Sequence, residues 1–211
     1  MPSSSLPSYD RALQLLEESG CSDGLIRHVE AVSKYAVEVA ESLADADVAL
    51  VQIGGLLHDI GRCKTHGIEH GIVGGKLLRS FGVDERVANI AEKHVGAGIT
   101  EKEAVRLRLP PGNYIPETLE EKIVAAADNL IEGTQRVTID KAEADFHAKL
   151  NGNPAAIRIR SLHDEVFGSA KRSVPATRAK QRLRERFILC RSSAATQTRQ
   201  PDRSTRCCAT T

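Results

Sequence analysis

Residues 47–59 read Asp-Val-Ala-Leu-Val-Gln-Ile-Gly-Gly-Leu-Leu-His-Asp, a helical stretch that is apolar on almost every side. Such a helix has no face for water and must be wrapped by other elements. It is therefore predicted to be central, and whatever stands at its end is delivered to the interior. His58-Asp59 stands there, followed at once by Ile60-Gly61. Gly61 suits a left-handed turn that would let the chain leave the helix. The pairs Gly54-Gly55 and Gly74-Gly75 read as positions of close helix packing, and neither belongs to a phosphate-loop motif.

The wrapping elements read as helices too. Over residues 24–43, Leu25, Val29, Val32, Ala36, Ala40 and Leu43 recur at three- and four-residue steps, one stripe of an amphipathic helix. Asp23 is its expected N-cap, and His28 borders the stripe one turn from Leu25 and Val32. A short helix over 9–19 ends at Gly20. Further helices are predicted over 69–80, 84–94, 100–107, 119–132, 141–149 and 154–167. Short strands near 136–139 would not change the all-α class. The stretch 110–116 carries three prolines and Gly112-Asn113, so it is expected to be an irregular wall or lid over a site. With no Trp, three Tyr and four Phe, the core must be built from Leu, Ile, Val and Ala.

Charge divides the chain. From residue 171 onward eleven basic residues face two acidic ones, a net +9, leaving 18 basic and 26 acidic residues before it, a net −8. An acidic body is unlike a groove-type nucleic-acid binder, whose positive charge lies on the folded surface. Nucleic acid is expected to be a partner only through the basic tail, if at all. The division predicted is an N-terminal segment with a short helix (1–20), one helical domain (21–168) and a basic tail of low order (169–211). No apolar run reaches eighteen residues, and Met1-Pro2-Ser3-Ser4-Ser5 lacks the build of a signal peptide. The expectation is a cytoplasmic protein without membrane contact. Of five cysteines only Cys21 and Cys63 lie in the body, and none shows disulfide or zinc spacing.

Across this framework His28, His58, Asp59, His70, His94 and Asp128 are spread in order. All are nitrogen or oxygen donors, the set that suits borderline divalent ions such as iron or manganese. Asp128 follows Ile123-Val124-Ala125-Ala126-Ala127 and precedes Leu130-Ile131. A carboxylate in that run is expected to be buried, hence paired or metal-bound.

The pattern His28 … His58-Asp59 … Asp128 resembles the HD superfamily of metal-dependent phosphohydrolases in its HDIG form. His70 and His94 resemble the extra pair of members that hold two metals. The flanks Ile68-Glu69-His70-Gly71-Ile72-Val73-Gly74-Gly75-Lys76-Leu77-Leu78, Glu92-Lys93-His94-Val95-Gly96-Ala97-Gly98 and Ala127-Asp128-Asn129-Leu130 are similar to small archaeal HDIG proteins. More distant likenesses are the archaeal dihydroneopterin cyclic-phosphate phosphodiesterase and the HD-type diadenosine tetraphosphate hydrolases. The resemblance covers about residues 8–168 and implies an all-α HD-domain bundle with its metal site between central helices.

It also implies two divalent transition-metal ions. His28, His58 and Asp128 would hold the first, His70 and His94 the second, and Asp59 would bridge them. His58 and Asp59 would be the catalytic pair, serving hydrolysis of a phosphodiester or cyclic phosphate of a nucleotide-like small molecule. Arg62, Lys64, Lys93 and Arg136 are the phosphate-binding candidates, with Arg62 and Lys93 first because they neighbour ligands. His66 reads as a solvated loop residue, and His147 and His163 as ordinary helix residues. A nucleotide phosphomonoesterase, a non-catalytic nucleotide-binding module and a homo-oligomeric state stay open.

Overall fold

The computed structural model describes residues 5–149 and 155–173. The 47–59 segment forms the central helix as expected. Helices α1 (Tyr9–Glu18), α2 (Asp23–Ala40) and α3 (Val48–Leu57) come first. A single 3-10 turn (Ile60–Cys63) follows α3, and then α4 (His70–Ser80), α5 (Glu85–Lys93), α6 (Glu101–Arg106) and α7 (Leu119–Asp128). Strands β1 (Ile131–Glu132) and β2 (Gln135–Arg136) precede α8 (Ile139–Lys149) and α9 (Ala155–Ser173). Helix α3 packs against α1, α2, α5 and α7, which is why it can be apolar all round. Leu56 and Leu57 have no exposed surface, and burying each is worth about 1.5–3 kcal/mol.

Close packing is where Gly55 matters. A Cβ there would lie 2.7 Å from Ser33 Cα, so α2 and α3 meet backbone to backbone. Ser33 Oγ donates to the Gln52 carbonyl at 2.8 Å across the same contact. Side chains cap the helices: Asp47 accepts from Leu50 N at the start of α3, and Thr100 and Thr118 form capping boxes with Glu103 and Glu121. The α2 cap is Ser22, not Asp23, which is the first helical residue with its charge at the positive helix end.

Two expectations fail in instructive ways. Helix α7 stops at Asp128, and Ile131 and Glu132 pair with Arg136 and Gln135 in a small antiparallel hairpin turning at Gly133, whose φ is +60°. Leu130 and Ile131 stay buried in the hairpin, so their apolar spacing did not require the helix to continue. The 110–116 stretch is not a lid. Tyr114 and Ile99 exchange backbone hydrogen bonds of 2.9 and 3.3 Å, and Tyr114 packs on a second apolar cluster of Ile72, Ile99, Ala104 and Leu109. Helix α9 runs to Ser173, past the expected boundary at 168. Beyond it the basic tail lies outside the described residues. Among the described residues no helix is long and apolar enough to cross a membrane.

Candidate metal centre

Five helices deliver the six donors, and most do so at their ends. His28 lies within α2, His58 caps the C-terminus of α3 and Asp59 follows it. His70 opens α4, His94 caps α5, and Asp128 closes α7. Neighbours on a helix point about 100 degrees apart, so a helix end is where His58 and Asp59 can both turn inward. Gly61 makes the next approach possible. Its φ is not among the positive ones, so no left-handed turn explains it. A Cβ there would instead sit 1.9 Å from the His70 carbonyl oxygen and 2.6 Å from Gly74 N. The bare glycine lets α4 lie directly on the turn after Asp59 and brings His70 beside that carboxylate.

All four imidazoles are oriented in the same way. Nδ1 lies 2.8 Å from Gly133 O in His28, 2.8 Å from Gly55 O in His58, 2.7 Å from Gly67 O in His70 and 2.8 Å from Ala91 O in His94. A carbonyl only accepts, so each Nδ1 must carry the hydrogen and, in the neutral ring, each Nε2 presents a lone pair. These Nε2 atoms converge. His70 Nε2 and His94 Nε2 are 3.1 Å apart, and each is 3.2 Å from Asp59 Oδ1. On the other side His28 Nε2 and His58 Nε2 lie 3.1 and 3.4 Å from Asp128 Oδ1, and both lie 3.8 Å from Asp59 Oδ2. The two oxygens of Asp59 thus face two different groups of donors.

Lone pairs facing lone pairs repel unless a cation or protons lie between them. His58, Asp59, His70 and His94 are all buried. His58 Nε2 and Asp59 Oδ1 have no hydrogen-bond partner despite their close neighbours. Leaving such atoms unmatched costs about 1–3 kcal/mol each or more when charged. Two three-residue sets, His28–His58–Asp128 and His58–Asp59–His94, bring one donor atom each within 4.8 Å of one another. The residues therefore fit bound divalent ions, which HD domains hold. The electrostatics point the same way. Burial opposes a charged His58, but Asp59 and Asp128 outweigh it and push the imidazole up to about 9. Burial works against the Asp59 and Asp128 carboxylates as well. The positive His58, with His70 and His94 near Asp59 and His28 near Asp128, holds both well below the usual carboxylate range. Burial instead lowers His94, more than Asp59 can offset.

A cavity of about 210 Å³ opens over the first group, bordered by His28, Arg62, Asp128, Asn129, Glu132 and Phe146 among others. Its cover comes from the hairpin and α8, which the sequence did not suggest. Of the four cations expected at phosphate, the structure brings only Arg62 to this cavity. Its Nε donates to Asp59 Oδ2 at 2.6 Å, so it also neutralises a proposed ligand. Lys93 does not join it. Its Nζ is held by Glu117 and Glu121 at 3.1 Å, because the residue beside a ligand on a helix faces elsewhere. Lys64 reaches the Ser19 carbonyl at 3.4 Å. Arg136 pairs with Glu38 at 2.6 Å and lies over the Tyr35 ring. His66 and His147 are exposed, and His163 stacks on Phe167. Asn129 is the residue that sequence reading passed over. It borders the cavity, its Nδ2 donates to Gly96 O at 2.8 Å, and its buried Oδ1 is unpartnered. Its place beside Asp128 was the available signal.

The HD-domain family profile matches residues 25–132, which carry His28 through Asp128. The chain belongs to the HD-domain family. This HD-domain chain is 53% identical over 163 residues to an uncharacterized protein of Methanocaldococcus jannaschii, covering 75% of this chain and 96% of that one. It is 49% identical over 158 residues to a tRNA (cytidine(56)-2′-O)-methyltransferase of Thermoplasma volcanium, covering 75% of this chain. There it spans only 46% of the relative's length. Among solved structures it is similar to the HD domain of the L. monocytogenes phosphodiesterase PgpH. That likeness has a TM-score of 0.47 at 18% identity and covers 76% of this chain and 97% of that one.

Proposed function

We propose that this HD-domain protein is a metal-dependent phosphohydrolase that binds two divalent ions and cleaves a phosphodiester or cyclic phosphate of a nucleotide-like small molecule. One observation carries the reading: four imidazoles, each locked by a backbone carbonyl, turn Nε2 toward a buried Asp59 whose two oxygens face separate donor groups. When bound, divalent ions supply the charge that acidifies water at neutral pH and neutralises a phosphoryl oxygen. Phosphoryl transfer needs little more than such placement of charge.

The chain's own residues do the rest. Asp59 and Asp128 provide the negative charge that retains cations. The carbonyls of Gly55, Gly67, Ala91 and Gly133 fix the ring orientations, as outer partners of metal-binding histidines commonly do. Arg62, anchored through Nε, offers a guanidinium at the cavity wall for a phosphate oxygen. His70 and His94 favour the two-ion diesterase over a monoesterase served by His28, His58, Asp59 and Asp128 alone. All six donors being present favours catalysis over a binding module. The methyltransferase relative is about twice as long as the matched region, and converging imidazoles and carboxylates suit hydrolysis rather than methyl transfer.

The test is hydrolysis by metal-loaded protein of a panel of 2′,3′-cyclic nucleotides, dinucleotide phosphodiesters and nucleoside monophosphates, with Asp59→Asn as control. Turnover of the diesters or cyclic phosphates, lost in Asp59→Asn, supports the reading. Turnover confined to monophosphates, or retained by Asp59→Asn, overturns it.

A further inference from the structure

A second cavity lies beside the metal cavity and shares a wall with it. Of about 140 Å³, it is lined by Ile68, Val95, Ile99, Leu107, Phe146 and Ile159, with Gly96, Glu103 and Arg158 also at its surface. Phe146 borders both cavities. A second link runs through Asn129, which borders the metal cavity and donates to the carbonyl of Gly96 in the apolar one. The apolar cavity is less than half the ~300 Å³ at which small-molecule sites begin, and the 210 Å³ metal cavity also falls short, but together they reach it.

The chemistry of the slot is selective. Its walls are mostly aliphatic, with one aromatic ring from Phe146 and the backbone turn after His94, where Gly96 and Gly98 have positive φ. The charged groups on its wall are Glu103, Arg106 and Arg158. The Arg158 guanidinium is spent on Glu103 and Gly98 O at 2.8–3.0 Å. An acyl chain would offer the Arg106 guanidinium on the same wall no acceptor. A flat heteroaromatic ring with acceptor atoms would fill the slot and offer one. Leu107, 45% exposed, stands at the rim as an apolar residue that folding does not require to face water.

Resting on the phosphohydrolase reading, we infer that the two cavities are one bipartite substrate site. Phosphate is held over the metal-binding residues, and a heteroaromatic base enters the slot formed by Val95, Ile99, Leu107, Phe146 and Ile159. Asn129 stands at the junction, held there by its bond to Gly96 O. The base slot is what makes the substrate a nucleoside phosphoester rather than a simple sugar phosphate.

The test measures binding and needs no turnover. Manganese-loaded protein is titrated calorimetrically with adenosine 5′-monophosphate and with ribose 5-phosphate, which share the phosphate and differ in the base. The expected result is at least about tenfold tighter binding of the nucleotide. That preference should fall to about twofold or less in Leu107→Lys, an exposed position, with ribose 5-phosphate affinity and metal content unchanged, and also in Phe146→Ala, where only the ratio of the two affinities is compared because Phe146 borders both cavities. Equal affinities in the wild type, or a preference that survives both variants, would overturn the inference. Failure of the hydrolysis panel with the base preference intact would count against the catalytic reading alone.

Discussion

The glycine at 61 offers a quantitative test of how the site is assembled. In Gly61→Ala the new methyl carbon would lie 1.9 Å from His70 O and 2.6 Å from Gly74 N. Ordinary contact begins near 3.4 Å, so α4 must retreat by about 1.5 Å. Both obstructing atoms are backbone, so no side-chain rotation relieves the clash. Overpacking costs about 1–3 kcal/mol, and a backbone clash belongs at the upper end, about 3 kcal/mol. For a chain of this size that corresponds to a melting-point drop of roughly 6–12 °C. Thermal unfolding followed by circular dichroism in chelator isolates this effect from stabilisation by bound metal. Gly24→Ala is the control, because a Cβ there meets only Ser22 Oγ at 3.9 Å. Since α4 carries His70 away from Asp59, metal content should also fall in Gly61→Ala. A melting point within about 2 °C of wild type would refute the close-approach explanation.

Substitution of the two nearby cations should separate their roles. Arg62→Ala should lower kcat/KM roughly ten- to hundredfold, the worth of a charge-assisted contact of about 1.5–3 kcal/mol. Lys93→Ala should leave kcat/KM near wild type but destabilise the fold by about 1–3 kcal/mol, because the buried Glu121 loses its cation and keeps only the backbone N–H donors of Glu117 and Thr118. The reverse pattern in kinetics and chemical denaturation would show that Lys93 is the phosphate contact. In chelator, His58 is raised from 6.5 to about 9. Its contribution to stability is therefore complete below about pH 6.5 and is lost as pH rises through 9. The Asp59 and Asp128 carboxyls, held low, stay ionised across that window. Metal affinity should climb over the same interval as the competing proton leaves. A chelated protein whose melting point is flat or rising from pH 6.5 to 9 would contradict this.

The six donors were legible because residue type and order survive in a sequence, and so was the central helix, whose lack of a polar face admits one explanation. The partners that orient the rings were not legible. The carbonyls of Gly55, Gly67, Ala91 and Gly133 are backbone groups that every residue carries. Gly61 was recognised as special for the wrong reason, since a left-handed turn and a close approach leave the same letter. Lys93 misled because adjacency in sequence is not adjacency on a helix. The cover over the cavity was sought in a proline-rich stretch, which in fact packs on Ile99. It was built instead by a hairpin hidden in an apolar run and by α8, whose Phe146 carried no motif.

Metal content per chain, measured on anaerobically purified wild type and His94→Ala, tests the proposal of a two-ion site most directly. His94 is fully buried with its Nε2 3.2 Å from Asp59 Oδ1, on the side away from His28 and Asp128. Close to two ions in the wild type and close to one in His94→Ala is the predicted result. One ion in both proteins would contradict it, reducing the centre to His28, His58, Asp59 and Asp128.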